Sequence, residues 1–149
     1  MVCLGNICRS PLAEGILQKK VNNRKLNWIV DSAGTSGWHD GELPHLRSVQ
    51  VAAEHGIDLT TQRSRKITKQ DLDDFDLIFV MDDSNESDVL SLCRNDFQRN
   101  KIHRILQFAG NETKNFNVPD PYFDDKFEYV FDLLDETCDA VLEKLLKKD

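Results

Sequence analysis

Little in this sequence stays apolar for long. The longest uncharged apolar run is Leu77 to Met81, far short of the roughly 20 residues a membrane helix needs, so no helical membrane span is expected. Near the start, Asn6 and Arg9 stand where a secretory signal would place its apolar segment, and the chain is therefore expected in the cytoplasm. Cysteine is scarce: Cys3, Cys8, Cys93 and Cys138 are spread over 149 residues, which excludes a disulfide scaffold and leaves thiols in a reducing compartment. Cations are outnumbered, with 19 Lys and Arg against 26 Asp and Glu. The field of the whole molecule repels nucleic acid and anionic membrane, so neither is expected as a partner. Any anion site must be built locally. Repeats, low-complexity tracts and linkers are also missing, so residues 1–149 are expected to form one domain, acting as a monomer.

What is present alternates between strand and helix signals. Val2 and Cys3 read as the end of a strand, followed by a loop with Gly5 and Asn6, both tolerant of positive φ. Ser10 then reads as a helix cap with Pro11 at the first helical position, and Leu12, Ala13, Ile16, Leu17 and Val21 form an apolar stripe. Trp28 to Val30 reads as a second strand, leading into Asp31-Ser32-Ala33-Gly34-Thr35. A helix follows with Leu46, Val49, Ala52 and Ala53 on one face and Gly56 at its end. Thr68 caps a helical turn, Leu77 to Met81 reads as a buried strand, Ser84 caps a helix running towards Cys93, and Ile102 to Leu106 reads as a fourth strand. The last helix carries Phe127, Val130, Phe131, Leu134, Cys138, Val141, Leu142 and Leu145 at helical spacing. The fold class expected is α/β: one doubly wound domain with a four-stranded, mostly parallel sheet flanked by helices. Ligands bind such sheets beyond the carboxyl ends of the strands, where Cys3, Ser32, Asp82 and the loop before Asp120 all fall.

The segment Cys3-Leu4-Gly5-Asn6-Ile7-Cys8-Arg9-Ser10 places a cysteine and an arginine six positions apart, between a strand and a helix start. A loop of this kind can turn its backbone N–H groups inward as an anion nest while the helix N-terminus adds partial positive charge. Arg9 can close the cradle with a planar fork that lysine cannot reproduce. The same field favours the thiolate, the only form of cysteine that attacks phosphorus. Expelling an aryloxide or alkoxide needs a proton, and Asp120, held between Pro119 and Pro121, is the best donor available.

In this ordered set of motifs the chain resembles the low-molecular-weight protein tyrosine phosphatases. The resemblance runs from Val2-Cys3-Leu4-Gly5-Asn6-Ile7-Cys8-Arg9-Ser10-Pro11 through Asp31-Ser32-Ala33-Gly34-Thr35 and Met81-Asp82-Asp83-Ser84-Asn85 to Asp120-Pro121-Tyr122. It implies that Cys3 attacks to form a phosphocysteine, that Arg9 holds the phosphoryl oxygens, and that Asp120 acts as acid and then as base. It further implies a strained Asn6 buttressed by Ser10 and Ser32, a hydrogen bond from Ser10 to the thiolate, and a supporting place for Asp82. Leu4, Trp38 and Tyr122 match positions that grip the substrate ring. Phosphotyrosine proteins or small aryl phosphates are the substrates implied, with phosphate and similar oxyanions as inhibitors. The chain departs from the family in having only Met1 and Val2 before the nucleophile, Phe123 after Tyr122, and Gln62 where a histidine is often found.

Blander readings compete at several positions. Cys8 reads equally as a packed loop residue or as a redox partner that forms a disulfide with Cys3. Cys93 and Cys138, on helices in this reading, are structural. Cys3 and Cys8 lack a second pair of metal ligands, so no metal is expected, and no cofactor. His39, His45, His55 and His103 are scattered and read as surface or capping groups, His39 and His45 lying near enough to Trp38 to reach a substrate. Asp71, Asp73, Asp74 and Asp76 read as a solvated face. Two rivals stand beside the phosphatase: a thiol-dependent arsenate reductase, which needs further relay cysteines, and a phosphate-binding module without turnover, which needs neither thiolate nor acid.

Overall fold

Alternate strand residues face opposite sides of a thin sheet, and this two-residue period divides the core. The computed structural model describes residues 1–111 and 115–147. In chain order its elements are β1 (Val2–Cys3), α1 (Arg9–Asn23), β2 (Ala33–Gly34), α2 (Leu46–Glu54), α3 (Asp71–Asp74), β3 (Ile78–Val80), α4 (Asp83–Leu90), α5 (Asp96–Arg99), β4 (Ile102–Arg104), α6 (Ile105–Phe108) and α7 (Phe127–Leu146). The strands lie in the order β2-β1-β3-β4, and every pairing is parallel. Cys3, Phe79 and Met81 face the larger cluster, which they share with the apolar stripes of α1 and α7. Val2, Ala33, Ile78, Val80 and Ile102 face a smaller cluster with Leu72 and Val89. Each fully buried Leu or Phe in these clusters contributes about 1.5–3 kcal/mol by leaving water, with Leu12, Phe127 and Leu134 at 1% exposure or less.

The expected α/β architecture is present, and its differences from the sequence reading have local causes. Trp28 to Val30 is not a strand. β2 begins at Ala33, whose N donates to Met1 O, while the Met1 amine donates to Asp31 O. Gln18 holds the earlier segment instead, accepting from Val30 N and donating to Trp28 O. The α2 face is rotated from the expected one: Ser48, Val51 and Ala52 point inward while Leu46 is 67% exposed. His45 caps that helix by accepting from Arg47 N. Asp82 caps α4 in place of Ser84, accepting from Asn85 N at 2.7 Å. The fourth strand ends at Arg104, where α6 begins, and α4 ends at Leu90, leaving Cys93 in the loop beyond it. Thr68 accepts from Asp71 N as expected.

Candidate active site

The segment between β1 and α1 is shaped by where its carbonyls go. Thr35 N donates to Cys3 O, Ser36 N and Oγ to Leu4 O, and His45 N to Ile7 O. Ser64 Oγ donates to Gly5 O and Ser48 Oγ to Cys8 O. Five carbonyls are thus turned outward onto donors from neighbouring segments, and the amides of Leu4 to Cys8 have no protein acceptor among the described residues. Outward carbonyls with free inward amides make the anion nest anticipated from the sequence. Gly34 permits the close approach of β2: a Cβ there would lie 2.7 Å from Leu4 O and 3.1 Å from Asn6 N. Gly5 does not use positive φ; its place is fixed by space, since a Cβ would meet His39 Cδ2 at 3.2 Å.

Asn6 supplies the turn. It sits at φ 55°, in the left-handed region that Asn tolerates better than most residues. Three hydrogen bonds hold it: Nδ2 donates to Ser10 Oγ at 2.8 Å and to Ser32 Oγ at 2.9 Å, and Oδ1 accepts from Arg65 N at 3.1 Å. Ser10 is not a helix cap. α1 begins at Arg9 with no side-chain cap, and the Ser10 hydroxyl lies 3.1 Å from Cys3 Sγ. Ser32 Oγ in turn donates to Glu14 Oε1 at 2.7 Å. Burial raises the Glu14 carboxyl above its ordinary value, against the pull of Ser32.

Arg9 is buried, with one guanidinium nitrogen on Asp82 Oδ2 at 2.7 Å and Val118 O at 3.0 Å. Its other terminal nitrogen is 3.6 Å from Asp120 Oδ2. Burial opposes the charge, but the Cys3 sulfur, Asp82 and Asp120 overcome it and hold the Arg9 pKa above the ordinary value. The Asp120 loop is fastened to the end of β3 by Val118 N on Met81 O, and Asp120 Oδ1 accepts from Tyr122 N. Cys8 is also buried, and burial, then the Cys3 and Asp120 charges, push its thiol up to about 12.

Cys3, Arg9 and Asp120 line one cleft of about 220 Å³, whose walls include Leu4, Gly5, Ile7 and Cys8. Trp38, Tyr122 and Phe123 form its rim, at 77%, 52% and 85% exposure. Asn6, Ser10, Ser32 and Asp82 are not among the cleft's lining residues. Phe123 and His39 also line the cleft, although Phe123 had registered only as a family departure. Ser36, Ser48 and Ser64, which hold the carbonyls out, had no motif to reveal them. Gln62 donates to Pro11 O, whereas the Asn6 side chain is held by Ser10, Ser32 and Arg65 N. Cys93 packs with Phe75, Leu90 and Leu92 in the smaller cluster, away from the cleft lining. Cys138 is fully buried. No described helix is long and apolar enough to cross a membrane.

A family model described as low molecular weight phosphotyrosine protein phosphatase matches residues 1–149. The chain belongs to that family. It is similar to the low molecular weight protein-tyrosine-phosphatase PtpA of Staphylococcus aureus, with 36% identity over 98% of this chain and 92% of the relative. Among solved structures it resembles a protein tyrosine phosphatase from Entamoeba histolytica with Hepes in the active site, at TM-score 0.90 and 36% identity, covering 99% of this chain and 95% of the other. It also resembles a Drosophila arginine phosphatase at TM-score 0.89 and 35% identity, covering 97% and 94%. As a low molecular weight phosphatase the chain is a cysteine-dependent protein tyrosine phosphatase, and the phosphocysteine route is characteristic of its family.

Proposed function

We propose that residues 1–149 act as one catalytic domain in which Cys3 is the nucleophile, Arg9 the phosphate clamp and Asp120 the proton donor. Cys3 sulfur attacks phosphorus, the S–P bond forms, and the P–O bond to the phenol breaks as Asp120 gives its proton to the leaving oxygen. A water then attacks the phosphocysteine, Asp120 takes back a proton, and inorganic phosphate leaves the restored thiolate. Loop amides and Arg9 hold the three non-bridging oxygens in both steps, where an amide already aimed at developing charge is most effective. Asn6, Ser10 and Ser32 fix the loop, and Asp82 fixes Arg9. The route needs no metal or cofactor, since nucleophile, clamp and acid are all side chains. The observation that carries this reading is the nest of inward amides closed by Cys3 at its base and by Arg9 within 3.6 Å of Asp120 at its mouth.

The enzyme acts as a monomer in the cytoplasm on phosphotyrosine proteins or small aryl phosphates, with phosphate and similar oxyanions as inhibitors. Leu4, Ile7, Trp38, Tyr122 and Phe123 favour an aryl ring over a guanidinium, whose N–H groups would face mostly carbon. The test is hydrolysis of p-nitrophenyl phosphate and of phosphotyrosine and phosphoarginine peptides in the presence of chelator, with Cys3→Ser alongside. Turnover that survives chelator, prefers phosphotyrosine and disappears in Cys3→Ser while phosphate still binds is the expected result. Substantial turnover by Cys3→Ser would refute the covalent route, and a preference for phosphoarginine would move the substrate class.

A further inference from the structure

A second hollow of about 220 Å³ adjoins the cleft, sharing Leu4, Arg9 and Asp120 with it. The cleft is walled mostly by carbon, whereas the wall of this hollow is mixed and carries more polar side chains. Asp82, Asp83, Ser84 and Asn117 line it beside Asp120. Asn85 belongs to the same wall, is 2% exposed, and has a side-chain oxygen without a hydrogen-bond partner among the described residues. A buried acceptor without a donor is unfavourable unless something supplies one.

The balance of charge decides what would supply it. Three carboxylates face one guanidinium, and that guanidinium is already bound to Asp82 and Val118 O. Asp82 caps the start of α4 and Asp83 sits in its first turn, so the two acids outweigh the partial positive charge of the helix end. Asp83 is exposed and its side chain has no ion-pair partner among the described residues. An anion is therefore repelled here. A metal is not indicated either, because the only described cluster of suitable ligands converging on one point is His55, Glu128 and Asp132, elsewhere on the surface.

We infer that this hollow is a subsite for a lysine or arginine side chain neighbouring the phosphotyrosine in a protein substrate. The inference rests on the phosphatase reading of the adjoining cleft. With the phosphoryl group in the nest and the ring against Leu4 and the aromatic rim, the peptide continues past the ridge formed by Leu4 and Asp120. A flanking cation crossing that ridge meets Asp83, with the buried and undonated Asn85 side-chain oxygen in the wall behind it. A flanking glutamate would meet the same carboxylates with the opposite sign.

The experiment compares kcat/KM for three phosphotyrosine peptides that differ only in carrying Arg, Ala or Glu on both sides of the phosphotyrosine, with p-nitrophenyl phosphate as a probe that has no flanks. The expected order is Arg above Ala above Glu, by about fivefold per step for one partly exposed ion pair. It should be expressed mainly in KM and shrink in about 1 M salt, where the screening length falls to roughly 3 Å. Asp83→Lys should reverse the order, and the milder Asp83→Ser should flatten it. Using the Arg-to-Glu ratio within each preparation cancels any loss of folded protein. Equal kcat/KM for all three peptides, with p-nitrophenyl phosphate hydrolysed normally, would overturn the subsite and leave the phosphatase standing. An order unchanged by either Asp83 variant would likewise overturn it. Failure to hydrolyse even p-nitrophenyl phosphate would remove the phosphatase reading and the subsite with it.

Discussion

Asn6 is the residue on which the shape of the phosphate cradle is expected to depend, and Asn6→Ala tests that dependence quantitatively. The substitution removes three hydrogen bonds, two to hydroxyls and one from a backbone amide. At about 0.5–1.5 kcal/mol net for each bond, the loss is about 2–4 kcal/mol. Alanine must also hold φ 55°, where its Cβ crowds the following carbonyl and adds about 1–2 kcal/mol. The sum, about 3–6 kcal/mol, is a large part of the 5–15 kcal/mol by which domains are usually stable. Asn6→Gly loses the same bonds but adopts φ 55° freely. Its greater unfolded-state entropy returns about 0.5–1 kcal/mol of that advantage, so it should be the more stable variant by about 1 kcal/mol. Urea unfolding gives the stabilities, and kcat/KM on p-nitrophenyl phosphate gives the state of the nest. Both variants should lose activity, glycine less than alanine. If the two variants unfold at the same urea concentration, or if either keeps wild-type kcat/KM, the left-handed turn is not what holds the amides inward.

Asp120→Asn is expected to lower kcat by about 10²–10⁴ for poor leaving groups, the usual range for a positioned proton donor; a penalty independent of leaving-group acidity would make Asp120 a positioning residue. Cys8 should render peroxide inactivation reversible by forming a disulfide with oxidised Cys3. Because its thiol lies near 12 through burial and the neighbouring charges, recovery on dithiothreitol should rise with the pH of oxidation. Equal recovery in Cys8→Ser, or a bridge mapped to Cys93, would refute that role. Glu14 has a folded-state pKa raised by burial, so its contribution to stability is complete below the ordinary glutamate value of about 4.3 and is lost as pH rises through the raised one. Glu14→Gln should flatten that slope in urea midpoints measured from about pH 4 to 7, and parallel slopes would show that the carboxyl titrates as an exposed group.

The proposed catalytic residues, which line one cleft, were more legible in the sequence than the frame around them. Cys3, Arg9 and Asn6 are near neighbours in the chain, and their spacing reports the nest directly. Asp120 was legible because two prolines isolate it. Ser36, Ser48 and Ser64 were not, because each serves the site through a single hydroxyl on a backbone carbonyl, and serine occurs in loops and helices for many other reasons. The misplaced strand at Trp28 to Val30 has a different origin. Trp28 and Val30 do pack against the larger core, so their apolar spacing is real. Periodicity reports burial, however, and an extended segment becomes a strand only where a neighbouring strand pairs with it. Ser10 and Ser84 were misread as caps for one reason: a serine at a helix start suits the amides there, but at Ser10 the thiol and Asn6 compete for the hydroxyl, and at Ser84 the cap belongs to Asp82, two residues earlier.

A protein of net charge −7 has to hold a dianion without expelling it, and the acids nearest the nest are each dealt with separately. Asp82 is engaged twice, by Arg9 and by the Asn85 amide of α4. Burial raises the Glu14 pKa, and its carboxyl stands behind Ser32, whose hydroxyl donates to it. Asp120 lies beside Arg9 at the mouth, where a proton on it is chemically useful and a charge on it is partly met. More distant exposed acids act through water with a screening length of about 8 Å at physiological salt, too short for their sum to cancel amides in direct contact with the phosphoryl oxygens. Among these acids Asp83, at the edge of the nest, has no ion-pair partner among the described residues. That juxtaposition is why one small region can bind a phosphate group and still discriminate among the charges that accompany it.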